Sequence, residues 1–183
     1  FATGNVADDA GWAERNGSRL RQFFGKLGYQ HERADLDVSL TLADNTLQGA
    51  QTLPTSFLDT PRQAYTFPDI NRNQLTLLAV KGSRFLDDSS LLGGSAYVRR
   101  YRNDNTSSNV NAHFGTIDPQ TGLAQDNEAT NDRSETDQKS WGAGLQWTLP
   151  QRIADHGNQL IIGASVDAGD TRFRQQSQPA TFG

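Results

Sequence analysis

Long stretches of this chain alternate apolar and polar side chains with a period of two. The clearest begins at Leu36, where Leu36, Val38, Leu40 and Leu42 alternate with Asp37, Ser39 and Thr41. Successive side chains of a β-strand point to opposite faces, so this segment is a strand with one apolar and one polar side. The same pattern places Trp141, Ala143, Leu145, Trp147 and Leu149 opposite Gly142, Gly144, Gln146 and Thr148. It also places Leu160, Ile162, Ala164, Val166 and Ala168 opposite Gly163, Ser165 and Asp167. Three further segments share the rhythm. In the first, Phe23, Leu27 and Tyr29 oppose Gln22, Lys26 and Gln30, with Phe24 among the polar set. In the second, both parities carry leucine or valine and the facing stays open. In the third, Leu92, Ala96 and Val98 oppose Ser95 and Arg99. The expected strands cover residues 19–31, 36–46, 74–86, 91–102, 140–149 and 159–172.

The connections alternate in length. Short turns are expected at Arg33-Ala-Asp35, Asp87-Asp-Ser89 and Ala154-Asp-His-Gly-Asn158, and long polar stretches from Thr46 to Asn73 and from Asn103 to Lys139. Structureless loops beyond about 15 residues are uncommon inside compact domains. Barrels of the bacterial outer membrane depart from that rule, with short periplasmic turns and long extracellular loops. The soluble alternative is a β-sandwich or a β-helical or propeller fragment, but strands there average about five or six residues. The segments here are about twice as long and meet the roughly 9 to 11 residues a tilted strand needs to cross a bilayer.

Composition supports the same direction. Only 34% of residues are hydrophobic and the mean hydropathy is −0.68, low for a densely packed soluble core. No run of about 18 apolar residues exists, which excludes a transmembrane helix but not strands that meet lipid on one side. With 17 basic and 21 acidic residues, the net charge of −4 lacks the cationic excess of a nucleic-acid binder. The absence of cysteine removes disulfides and thiolate chemistry.

Lipid cannot hydrogen-bond backbone amides, so a sheet in a bilayer must pair every strand and close on itself. Six strands are too few, since the smallest single-chain barrels have about eight. The expected fold is therefore all-β: an antiparallel up-and-down transmembrane β-barrel, here an incomplete arc of about six strands, or an assembly of copies. Phe1-Ala-Thr reads as the tail of an earlier strand, and Gln175 to Gly183 as an unfinished segment. The expected lipid-facing residues are Phe23, Leu27, Leu36, Val38, Leu40, Leu42, Trp141, Leu145, Trp147, Leu160, Ile162 and Val166. Trp141, Trp147, Tyr29, Phe23 and Tyr101 lie toward segment ends, where amphipathic rings favour the headgroup zone; ordinary cross-strand packing would place aromatics there too. Gln22, Lys26, Asp37, Thr41, Arg99, Gln146 and Asp167 suit a polar lumen or, equally, a solvated sheet face.

Ser18-Arg-Leu-Arg-Gln-Phe-Phe-Gly-Lys-Leu-Gly-Tyr, Asp35-Leu-Asp-Val-Ser-Leu-Thr-Leu-Ala-Asp-Asn-Thr-Leu and Ser95-Ala-Tyr-Val-Arg-Arg-Tyr-Arg, with Asp9-Ala-Gly-Trp12 before them, resemble early barrel strands of TonB-dependent outer-membrane receptors. The likeness covers about residues 8–105, and the remainder follows by strand and loop rhythm. It implies energised uptake of a scarce nutrient, such as a metal–siderophore complex, across the outer membrane of a Gram-negative bacterium. The implied barrel is 22-stranded and closed by an N-terminal plug. The plug, and the segment that recruits TonB, have no counterpart in this sequence. The implied partners are the lipid bilayer and lipopolysaccharide, the nutrient ligand, and the plug domain and TonB through other parts of the parent protein. No ligand-contact residue carries over by resemblance, and no cofactor is expected.

Other chemistries have little support. His31, His113 and His156 lie in separate segments without metal-ligand spacing, and no Gly-x-Ser-x-Gly frames a serine. No enzymatic role is expected, with a passive porin and an outer-membrane hydrolase as the alternatives. Asp126, Glu128, Thr130, Asp132, Ser134 and Asp137 mimic the offsets of a calcium loop, but Asn131 stands at the turn glycine and Asp137 at the bidentate glutamate. Arg99, Arg100 and Arg102 form a basic knot suited to lipopolysaccharide phosphates, an anionic ligand or cross-strand pairing. Phe57, Tyr65 and Phe67, beside Pro54, Pro61 and Pro68, either form a ligand-capture surface with Arg99 or pack the first long loop.

Overall fold

The computed structural model describes residues 1–49, 53–87, 89–126 and 128–181. Asp88 of the expected short turn and the last two residues of the expected terminal segment lie outside the described residues. Seven strands follow in chain order: β1 (Ala2–Asp9), β2 (Ser18–His31), β3 (Ala34–Gln48), β4 (Ile70–Phe85), β5 (Leu91–Val110), β6 (Ala129–Ile153) and β7 (His156–Ala180). Each pairs antiparallel with its neighbours in the chain, giving one open up-and-down sheet with β1 and β7 at its edges. A single 3₁₀ turn, Thr55–Phe57, interrupts the β3–β4 connection.

All-β, antiparallel and up-and-down is the architecture that period-two alternation and alternating loop lengths predict. There are seven strands rather than about six, because Ala2–Asp9 is a full strand and not merely a strand tail. It carries no apolar alternation and is held by its ladder to β2, from Ala2 opposite Gly25 to Asp9 opposite Ser18. The second long loop is also shorter than expected. β5 continues to Val110 and β6 starts at Ala129, so half of the 103–139 stretch is strand. Those extensions are Asn-, Ser-, Thr- and Asp-rich on both faces. They pair by backbone and by cross-strand polar contacts such as Asn109 Nδ2 donating to Asp132 at 2.9 Å, which a hydrophobic period cannot reveal.

The short connections all lie at one end of the sheet and the long ones at the other. β6 turns into β7 through Ala154 and Asp155 alone, both with positive φ (51° and 62°). That is the geometry of a two-residue hairpin whose twist matches its strands. The β4–β5 turn is organised by Asp87. Its carboxylate accepts from the Ser89 amide (2.8 Å), the Ser90 amide (2.6 Å), the Ser89 hydroxyl (3.0 Å) and the Ser90 hydroxyl (2.6 Å).

No layer of the described residues covers either side of the sheet. Among the described residues the only buried hydrophobic side chain is Ala13, in the β1–β2 connection. Leu27 is 76% exposed and Leu145 58%. A soluble sheet of this size buries one face against a partner layer, and the described residues form none.

The hydrogen bonds from the Ser90 and Ser89 side chains and amides hold the Asp87 carboxyl well below the usual carboxylate range. A carboxyl depressed in the folded state stabilises it fully above the unfolded value of about 4, and this contribution falls away as pH drops toward the folded value. Asp87→Asn should therefore lower the urea midpoint at pH 7, and its deficit against the native chain should shrink at pH 3. A deficit unchanged between the two pH values would contradict this role.

Candidate functional site

Registering the strands against one another sorts every side chain to one of two faces. Phe23 pairs with Leu42, Leu27 with Val38, Leu40 with Leu78, and Val38 with Val80. The ladder continues through Val80–Ala96, Ala96–Ala143 and Ala143–Val166, while Trp147 pairs with Ile162 and Leu149 with Leu160. All the residues expected to meet lipid thus share one face, and β4, whose facing alternation left open, contributes Leu78 and Val80 to it. Leu75 and Leu77 point the other way.

The apolar band spans Leu36 to Leu42 on β3 and Trp141 to Leu149 on β6, which is about 20 and 26 Å of strand at roughly 3.3 Å per residue. It does not run straight along the hydrogen-bonded rows. Its midpoint on β2, Lys26, registers through Ser39, Ala79 and Tyr97 with Gly142, whereas the band on β6 centres three residues further on, at Leu145. The centre stays in one row from β2 to β4, at Lys26, Ser39 and Ala79, and the shift of about 10 Å is taken up between β4 and β6.

Phe23 and Trp141 border the band toward the long connections, and Tyr29 and Trp147 toward the short turns. Tyr101 belongs elsewhere: it sits on the opposite face, its hydroxyl donating to Asn73 Oδ1 at 2.9 Å. Period two already gives Tyr101 the parity of Arg99, so alternation itself carried the signal for its facing.

The opposite face is polar and largely self-satisfied. Lys26 Nζ lies 3.0 Å from Asp37, Ser83 donates to Asp35, and Arg99 donates to Gln138 Oε1 at 2.9 Å. Asn103 Nδ2 reaches Asn73 Oδ1 at 2.7 Å and Asn71 Oδ1 at 3.1 Å, forming an amide network near the long-loop end. In one row Tyr97, Gly142 and Asp167 are cross-strand neighbours, and the Tyr97 hydroxyl passes over Gly142 to donate to Asp167 at 2.8 Å. A Cβ on residue 142 would collide with both Asp167 and the Tyr97 ring.

The loop aromatics pack within and between loops. Phe57 and Tyr65 meet edge-to-face at 5.3 Å, and the Arg15 guanidinium lies 3.9 Å from the Phe67 ring centre. Arg62 Nε donates to the Trp12 carbonyl and the Glu14 amide to the Arg62 carbonyl, both at 2.7 Å, which ties the β1–β2 and β3–β4 connections together. Arg99 is remote from this cluster in register, on the polar face of β5, so the candidate ligand contacts do not form one group.

The basic knot is split between faces. Arg99 faces the amide side, whereas Arg100 and Arg102 lie on the apolar band's side, near Asp137 (3.7 Å) and Asp104 (3.3 Å) respectively. The calcium-loop spacing does not form a loop, because Thr130 to Asp137 lie within the extended strand β6, with Thr130, Asp132 and Ser134 on one face and Asp137 on the other. Asp132 instead accepts from Asn109, and no group of three metal-binding side chains gathers among the described residues. His31, His113 and His156 are at the end of β2, in the β5–β6 connection and at the start of β7.

No protein-family model matches the chain, and no curated protein sequence does either.

Gly142→Ala should cost about 1–3 kcal/mol, the usual penalty for overpacking a filled site. Gly144→Ala, whose Cβ would meet Ser165 Cβ at an ordinary 3.5 Å, should be close to neutral. Urea midpoints of the two variants check this, and equal effects would remove the special role of the Tyr97–Asp167 bridge.

Proposed function

We propose that this chain is a section of an outer-membrane β-barrel, and that it serves a TonB-dependent receptor for uptake of a scarce nutrient such as a metal–siderophore complex. One observation carries the membrane part: a continuous apolar band on one face of a long-stranded sheet, with no second layer over it among the described residues and a polar opposite face. In water that band would be an exposed patch far larger than soluble monomers tolerate. In a bilayer, hydrocarbon covers it.

The receptor part rests on the resemblance of residues 8–105 and on the arrangement of the connections. On this reading the long connections face outward and the short turns face the periplasm. The polar face lines a lumen whose closure and energy coupling come from a plug and from TonB. Ligand binds among the outer connections, and force on the plug opens the passage. No chemical bond is made or broken, and the side chains act by position and charge.

Leu40→Arg should weaken assembly in lipid vesicles by about 2–4 kcal/mol, since Leu40 lies mid-band where a lipid-facing arginine is most costly. Thr41→Arg, on the polar face, should cost much less. Equal tolerance would sink the membrane assignment. In the producing bacterium, collapse of the proton-motive force should abolish uptake of a ferric chelate through this protein. Uptake that persists would point to a passive pore.

A further inference from the structure

Beyond the apolar band, toward the long connections, the two faces of the sheet differ sharply in charge. On the polar face two consecutive ladder rows carry none. One runs from Asn5 through Gln22, Tyr101 and Gln138 to Thr171, the other from Ala7 through Asn45, Asn73 and Asn103 to Phe173. On the band's face the two rows interleaved with these, from Asp8 to Arg174 and from Val6 to Arg172, are charged everywhere except at Val6, Thr46 and Gln74. Those charges alternate in sign and pair with one another, as Arg19 does with Asp8 (3.2 Å) and Arg102 with Asp104 (3.3 Å). Strand pairing alone does not sort charge by parity. The neutral face is also the sheltered one: on β4, Asn71, Asn73 and Leu75 are half-buried while Arg72, Gln74 and Thr76 are exposed.

Carboxamides dominate this neutral belt. Asn71 Nδ2 donates to Asn105 Oδ1 at 3.3 Å, and Asn103 Nδ2 reaches the Arg72 carbonyl at 3.3 Å besides its asparagine neighbours. A carboxamide carries two N–H groups and an oxygen with two lone pairs, so these cross-strand bonds fix the amides and still leave valences for a partner. Phe173, 62% exposed, adds an apolar surface in the same row. Two charges border the belt: Asp9 at the edge strand, and Arg99, whose guanidinium donates to Gln138 within it at 2.9 Å. From Gln22 on β2 to Thr171 on β7 the belt crosses five strand spacings, about 24 Å.

We propose that this belt selects an uncharged ligand, rich in hydroxyl and amide groups, and discriminates against anionic ones. Burying a charge without a counter-charge costs far more than burying a hydroxyl or amide that finds a hydrogen bond. A wall that sheds its water against a ligand is therefore best built from neutral groups, and an anion passing over it trades hydration for no paired cation. Carboxamides suit the opposite case, because they donate to carbonyl and hydroxyl oxygens and accept from hydroxyls with the same side chain. A neutral metal chelate with hydroxamate arms and a neutral oligosaccharide share this chemistry. The proposal rests on the receptor reading and gives the charge class of its nutrient.

The test measures uptake by the producing bacterium, with cells lacking the gene as background and variants compared at equal outer-membrane abundance. Three labelled probes are used: an uncharged ferric trihydroxamate, an uncharged oligosaccharide and a trianionic ferric tricatecholate. The native protein should carry one of the uncharged probes, which identifies the source, at least about tenfold faster than the tricatecholate. Thr136→Lys sets a cation in the belt and should narrow that ratio about tenfold through its attraction for the anion. Thr171→Lys, on the neighbouring strand, replaces it should Thr136→Lys not assemble. Gln74→Lys, at the same height on the other face, should leave the ratio unchanged. Equal effects of the lysines on the two faces overturn the belt and leave the receptor reading standing. So does faster native uptake of the tricatecholate that stops when the proton-motive force collapses. Preference for an uncharged probe that persists without the proton-motive force keeps the belt and overturns the receptor reading. Native cells that carry none of the three overturn the proposal.

Discussion

The structure depends on an unbroken backbone ladder running from β1 to β7. The described residues form no buried core to supplement it, so cohesion comes from inter-strand hydrogen bonds and cross-strand side-chain pairs. In water such a sheet has little to hold it, because its backbone groups exchange freely with solvent. In the proposed bilayer setting that exchange is unavailable and each paired amide becomes hard to open. The same logic bears on the edges. β1 and β7 each leave a row of donors and acceptors unpaired, and hydrocarbon tolerates this only where further strands complete the ring.

The division of labour between faces follows from the ladder. Once Phe23 is opposite Leu42 and Leu78 opposite Val98, each following row is committed, and a slip of one residue would turn every apolar side chain inward. Polar contacts on the other face reinforce that register. The Tyr97–Asp167 bridge spans two strand spacings and needs a residue without a side chain beneath it, so it identifies Gly142 by shape as well as by backbone pairing.

Much of this was legible in the residues. Wherever one face is apolar, as from Leu36 to Leu42 or from Trp141 to Leu149, alternation located both the strand and its facing. Where both faces are polar, as in β1 or from Asn103 to Val110, strand formation depends on a neighbouring edge and leaves no mark in a hydrophobic period. In β4, leucines of both parities hid the facing until the register with Val38 and Leu40 supplied it. The candidate contacts suffered from the same limit. Arg99 and Arg100 are adjacent in sequence and therefore on opposite faces, so the basic knot was two sites. The spacing of Asp126 to Asp137 resembled a cation loop only while its backbone was assumed to curl.

The reach of β6 beyond the band has a bearing on how solutes arrive. From Trp141 back to Ala129 the strand climbs about 40 Å at its usual rise, and β5 and β7 climb beside it. In the proposed setting the sheet continues as a rigid parapet past the lipid headgroups and into the sugar coat of the cell. A solute would then meet the protein at the top of that wall, before crossing the surface glycans.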